Sequence, residues 1–203
     1  MAVQDGYGGP VTVIFYSLTN DGWQRVDTFR YDDDMGSWPS VAISGKTAFV
    51  GFQAANDRTG AVLVYEQNQF EEWDEVEDPF IQDVNATGDR FGRRVGIHRN
   101  LAYVYDSVSD EGHVYIFRRK SDKWVEIDRI DLYVYAISIS GDIIAIASWS
   151  YTLGFVLHLY KYMPDLDGVV SIQDPISTGE VWSMDLSNNY LAYWDVDEED
   201  AFI

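Results

Sequence analysis

One unit recurs along this chain, and it constrains the fold more than any other feature. Its fullest copy runs from Arg90 to Ile130: RFGRRVGIHRNLAYVYDSVSDEGHVYIFRRKSDKWVEIDRI. The copy divides into four apolar or alternating runs, FGRRVGI, LAYVY, HVYIF and WVEIDRI. His98-Arg99-Asn100, the acidic loop DSVSDEG and RRKSDK separate them. Short runs with a period of two, bounded by Gly, Asn, Asp and Ser, predict strands joined by tight turns.

The same order of runs returns before and after this copy. SVAIS, TAFVGF, AVLVY and WDEVEDPF make one unit, and YAISIS, IIAIAS, FVLHLY and VVSIQDPI make another. The two ends hold partial units, VTVIFY with WQRVDTF at the start and VWSMDLS with YLAYWDV at the finish. Ala48, Ala102, Ala145 and Ala192 fall at one place in the second run. Gly9, Gly60, Gly112 and Gly154 close the loop before the third, and Trp23, Trp73 and Trp124 open the fourth. A repeat of roughly 40 to 55 residues holding four strands matches a propeller blade.

Physical argument favours a propeller over a sandwich. IIAIA is apolar at consecutive positions, so both faces of that strand must be covered, and blades stacked face to face do this. A small Ala at one fixed inner position fits the crowding near a common axis. The expectation is an all-β propeller of four-stranded antiparallel blades, one domain over residues 1–203. Its blades fall at about 37–80, 90–130 and 133–176, with a fourth split between 180–203 and 9–30. Pairing YLAYWDV with VTVIFY would close that split blade and hide two strand edges. The recurring Trp is expected to pack between blades.

These units resemble FG-GAP repeats, the blades of integrin-α-like propellers. The resemblance rests on RFGRRVGI…LAYVYDSVSDEGHVYIF and SVAISGKTAFVGF…GAVLVYEQ, and counting the partial units it covers essentially the whole chain. Many blades of that family carry a calcium loop, DxDxDG, between the first and second strands. Here those connections are Ser44-Gly45-Lys46, His98-Arg99-Asn100, Ser140-Gly141-Asp142 and Ser187-Asn188-Asn189. None supplies the several oxygen ligands calcium needs, so calcium is not expected at the family position, and no cofactor is expected.

The charge narrows the function. Thirty-four acidic residues against fourteen basic give a formal charge of −20. Nucleic acid and anionic membrane surfaces would be repelled. No cysteine is present, which rules out disulfides and thiolate metal sites. No apolar run approaches membrane-spanning length, and MAVQDGYGG has neither the basic nor the apolar part of a signal peptide, which favours a cytoplasmic location where this N-terminus is the native one and otherwise leaves the location open.

In a propeller the second-to-third-strand loops and the blade-to-blade links share one rim. Here they hold Asp5, Asp32 to Asp34, Asp57, Asp83 to Asp89, Asp106, Asp110, Glu111 and Asp195 to Asp200. This acidic rim predicts a non-enzymatic interaction or assembly module that meets a protein partner, with Asp57, Asp106, Asp110, Glu111 and Asp195 as candidate binding residues. Asp106, Asp110 and Glu111 form the candidate divalent-cation group. The alternative is a carbohydrate-binding propeller, in which rim aromatics Trp149, Tyr151 and Trp194 stack on sugar rings beside carboxylates. His98, His113 and His158 show no metal-ligand spacing, and no nucleophile elbow is present.

Overall fold

The structure is a computed structural model that describes residues 2–4, 10–31, 35, 39–76, 90–108, 111–188, 190–195 and 200–202. The described residues are all β apart from one helical turn, and their strands pair in five antiparallel sheets that follow one another along the chain. The first sheet holds β1 (Ala2–Gln4), β2 (Val11–Thr19) and β3 (Gly22–Tyr31). The second holds β4 (Ser40–Ser44), β5 (Thr47–Phe52), β6 (Ala61–Gln67) and β7 (Trp73–Glu75), with helical turn α1 (Ala55–Arg58) between β5 and β6. The third holds β8 (Arg94–His98), β9 (Leu101–Val108), β10 (Glu111–Lys120) and β11 (Lys123–Asp131). The fourth holds β12 (Val134–Ser140), β13 (Ile143–Ser150), β14 (Gly154–Met163) and β15 (Gly168–Ser171), and β16 (Ile176–Ser177) also pairs with β14. The fifth holds β17 (Val181–Ser187), β18 (Tyr190–Asp195) and β19 (Asp200–Phe202). Among the described residues no helix is long and apolar enough to cross a membrane.

Two-residue turns set the registers. The hairpins β4–β5, β8–β9, β12–β13 and β17–β18 each place their first loop residue at positive φ: Gly45 at 59°, Arg99 at 56°, Gly141 at 60° and Asn188 at 50°. Such turns follow the right-handed twist of the strands they join. Gly and Asn adopt that conformation readily, and Arg99 is the exception.

The chain gathers into two compact units, residues 1–97 with 104–108, and residues 98–103 with 109–203. In the first unit every residue of β5 is buried, as a strand covered on both faces requires. Val11, Val13 and Phe15 of β2 meet Val50, Phe52, Leu63, Tyr65 and Trp73 in one core. Phe15 stacks on Trp73 at 4.3 Å and meets Tyr65 edge-on at 5.4 Å. A polar chain crosses this core: the Tyr31 hydroxyl donates to Glu75 and lies 2.6 Å from the Tyr65 hydroxyl. Burial first, then Glu75, pushes Tyr31 far above its usual value against an opposing hydrogen bond from Tyr65, and burial first, then Tyr31 and Glu75, does the same to Tyr65. The Phe91-Gly92 pair docks on the second sheet, where Gly60 forms a parallel bridge with Phe91.

In the second unit Ala136 and Ala147 pack on Val181, with Met184 and Tyr193 against them. Serine hydroxyls on β12 accept backbone N–H groups from the fifth sheet, Ser138 from Leu186 (3.0 Å) and Ser140 from Asn188 (3.2 Å). The Asp128 carboxylate on β11 accepts Val169 N–H at 2.9 Å.

Three sequence expectations are corrected. The two ends do not share a sheet: β2 lies between β1 and β3, and β18 lies between β17 and β19, so neither has an edge left for the other. Ala48, Ala102 and Ala145 are fully buried, but Ala192 is exposed, because one face of β18 is open. Trp73 packs between sheets as expected, whereas Trp23 is exposed.

Candidate functional site

The second unit builds a rim of aromatic side chains where β12, β14 and β17 begin and β13 ends. Regular pairing would place these rings by simple alternation, but two irregularities re-aim them. β12 shifts register between Val134 and Ala136, at Tyr135, and β17 shifts between Val181 and Met184, over Trp182 and Ser183. Bulges of this kind turn a side chain out of the regular pleat and recur beside binding sites. Trp149 and Phe155 are direct cross-strand partners, with ring centres 4.8 Å apart. Tyr135 joins them, 5.0 Å from Phe155, and also meets Trp182 at 5.4 Å and Tyr133 at 5.5 Å. All four contacts are edge-to-face, the arrangement favoured by the ring quadrupole.

The two tryptophans of this five-ring ladder are exposed, while Tyr133, Tyr135 and Phe155 are half-buried. Trp149 is 45% exposed and Trp182 54%, and Tyr151, on the adjoining turn, is 94% exposed. An aromatic surface of this extent, left uncovered, is characteristic of a binding face. The Tyr135 hydroxyl is held above its usual range by burial, then by Tyr133 and Glu180, and remains a proton donor at neutral pH.

Tyr133 ends the ladder and also lines a cavity of about 380 Å³ with Glu111, Gly112, His113, Asp131 and Leu132. Leu132 N–H donates to Gly112 O at 2.9 Å and ties the two walls. Asp131 accepts Arg129 Nε–H at 3.1 Å and lies 4.0 Å from His113 Nε2. The site therefore joins flat apolar faces to a pocket bearing two carboxylates and an imidazole. Ring faces suit the C–H face of a sugar, and the carboxylates and imidazole suit its hydroxyls.

Of the residues singled out from sequence, Glu111, Trp149 and Tyr151 come to this rim. Trp194, 48% exposed, lies on β18. Asp106 is buried on β9, 1% exposed, and offers no surface carboxylate. Asp110 lies outside the described residues, and Asp57 on α1 and Asp195 at the end of β18 are described in their backbone only. Most of the acidic loops expected to form a charged rim also fall outside. Among the described residues no three His, Cys, Asp or Glu side chains come together as a metal site. Sequence reading missed Tyr135 and Trp182, although Trp182 is the second residue of the predicted strand VWSMDLS.

It also missed a serine–histidine contact. Ser148 Oγ lies 2.9 Å from His158 Nε2, across β13 and β14, within the range of a nucleophile and its base. Ser148 is buried, however, and among the described residues no carboxylate holds the other ring nitrogen. Burial lowers the His158 pKa below its usual value. The pair is a core hydrogen bond.

No family model matches the chain, and no curated protein matches it. Solved structures do. One from Bacteroides fragilis NCTC 9343, provisionally named a 6-phosphogluconolactonase, superposes with a TM-score of 0.62 at 13% identity, over 98% of this chain and 64% of its own length. The β-fructofuranosidase BmSUC1 of Bombyx mori gives a TM-score of 0.45 at 10% identity, over 93% of this chain and 53% of that one. The chain thus spans less than two thirds of the length of each of these two structures. The first of them supports an all-β, propeller-like fold. It also corrects the expectation that the chain is no enzyme: a structure with an enzyme's name shares this fold, so the fold does not set catalysis aside.

Proposed function

We propose that this chain is a propeller-type module, with each sheet a blade of FG-GAP-like repeat, whose second unit recognises carbohydrate at the aromatic rim. One observation carries the reading: a ladder of five rings, its two tryptophans exposed, runs without a break into a cavity lined by Glu111, His113 and Asp131. A protein interface would also favour aromatic residues, but it would not call for a carboxylate-bearing pocket at the end of the ladder. A sugar chain uses both, stacking on Trp149, Tyr135 and Trp182 while its hydroxyls reach the carboxylates.

The test is a glycan array, followed by titration of any bound glycan against intrinsic Trp fluorescence. Each ring contact is worth about 0.5–1.5 kcal/mol, so Trp149→Ala or Trp182→Ala should weaken binding roughly two- to twelvefold. Glu111→Gln with Asp131→Asn should weaken it further. Product analysis of the same mixtures would show whether the bound glycan is also cleaved. A protein captured from the native source, with binding indifferent to Trp149 and Trp182, would replace this reading with the interaction-module one.

A further inference from the structure

A second cavity, of about 230 Å³, lies at the other end of the same strands of the second unit. From Glu111 to Arg118 along β10 is seven residues, roughly 23 Å at the rise of an extended strand, so the two cavities are separate. The second is walled by the hairpin His98-Arg99-Asn100, by Asp142, and by Arg118 lying over Tyr162.

Its chemistry differs from that of the rim. The chain carries a formal charge of −20, yet nine of its fourteen Lys and Arg residues fall within residues 90–130. Neighbouring cations are paired, Lys120 with Asp167 and Arg129 with Asp131. Arg118 is not. Its guanidinium carbon stands 4.4 Å from the centre of the buried Tyr162 ring, and it has no hydrogen bond or ion pair among the described residues. A guanidinium held over a ring by cation–π attraction still has N–H groups to offer to the oxygens of an anion. The side chains of His98 and Asn100 likewise have no partner among the described residues, and both add donors. The hairpin itself places Arg99 at φ 56°, where three sister hairpins use Gly or Asn. Asp142 is exposed and is the acidic group in the lining.

We infer that this cavity is an anion site, distinct from the rim and independent of the carbohydrate reading, for a small hydroxylated oxyanion. Two oxygens of a carboxylate or phosphate ester take the N–H groups of Arg118, His98 and Asn100 donate beside it, and Asp142 accepts a hydroxyl of the ligand. The volume admits a three-carbon acid or ester.

Calorimetric titration of the full chain at fixed ionic strength tests this, with glycerol 3-phosphate, glycerate and glycerol as probes. Saturable binding of one or both anions at one site, with none of glycerol, is expected, and the preferred anion identifies the headgroup. Arg118→Gln should weaken binding roughly tenfold or more, as loss of hydrogen bonds to a charged group does, while Arg129→Gln should not. In the parent protein the same ligand should move the Arg118 Nε–H resonance, a readout that needs no variant. Failure of both anions to bind, parent-like affinity in Arg118→Gln, or an unmoved Arg118 resonance at saturation would overturn the inference.

Discussion

A Cβ on Gly51 would sit 2.1 Å from the carbonyl oxygen of Gly92 and 2.7 Å from Ser40 Oγ. The first of these is backbone and cannot swing away, and Ser40 itself donates to that carbonyl at 2.9 Å. Gly51→Ala should therefore cost about 1–3 kcal/mol or more through overpacking, measured as a lower urea midpoint. Ala102, fully buried, should behave alike: Ala102→Leu is expected to cost about 1–3 kcal/mol. A parent-like midpoint in either variant would mean the packing around these positions is wrongly described. The repeat made Ala102 readable, because the same small residue recurred at one place in each unit. Repetition alone did not give burial, as the exposed Ala192 shows. The same residue type at the same register is inside or outside according to what covers its sheet, and no local pattern records that.

Strands and hairpins were legible because their signals are local: alternation along VTVIFY, turn residues at Gly45, Gly141 and Asn188. The bulges at Tyr135 and Trp182 were not, since a register shift belongs to a pair of strands and neither strand encodes it alone. Half of the candidate site was hidden for that reason, while Trp149 and Tyr151 stood out simply as aromatics in a loop region. The Ser148–His158 contact was hidden likewise, and it has a measurable consequence. The folded-state pKa of His158 lies below its unfolded value, so the unfolded chain binds the extra proton first. Stability is intact above the unfolded histidine pKa, near 6.5, and is lost as the pH falls from there through the lower folded value. Many carboxylates titrate at still lower pH, so the quantity to follow is the difference between the parent and His158→Gln across pH 7.5 to 5. The parent should lose more stability than the variant over that interval, and parallel curves would show that His158 is not desolvated as described.

At the scale of the whole chain, the ends were misread because the strands that complete them are very short. Ala2–Gln4 and Asp200–Phe202 are three residues each, too few for periodicity to register, yet they occupy the places on β2 and β18 that a shared sheet would need. What sequence does state without ambiguity at this scale is charge. A surplus of twenty negative charges must repel itself in the compact state, and the unfolded chain relieves that repulsion by expanding. The screening length falls from about 30 Å at 0.01 M salt to about 10 Å at 0.1 M, so most of the relief is reached by moderate salt. The melting temperature should therefore rise with NaCl over this range and then level off. Calcium chloride at matched ionic strength separates screening from a site. The described residues bring no three metal ligands together, and the family's calcium-loop position holds Gly45-Lys46, Arg99-Asn100 and Gly141-Asp142. Stabilisation by calcium no larger than that by ionic-strength-matched NaCl is the outcome of screening alone. An excess that disappears in Asp110→Asn with Glu111→Gln would instead assign a divalent-cation site to the loop before β10, and charge repulsion alone would no longer account for the response to salt.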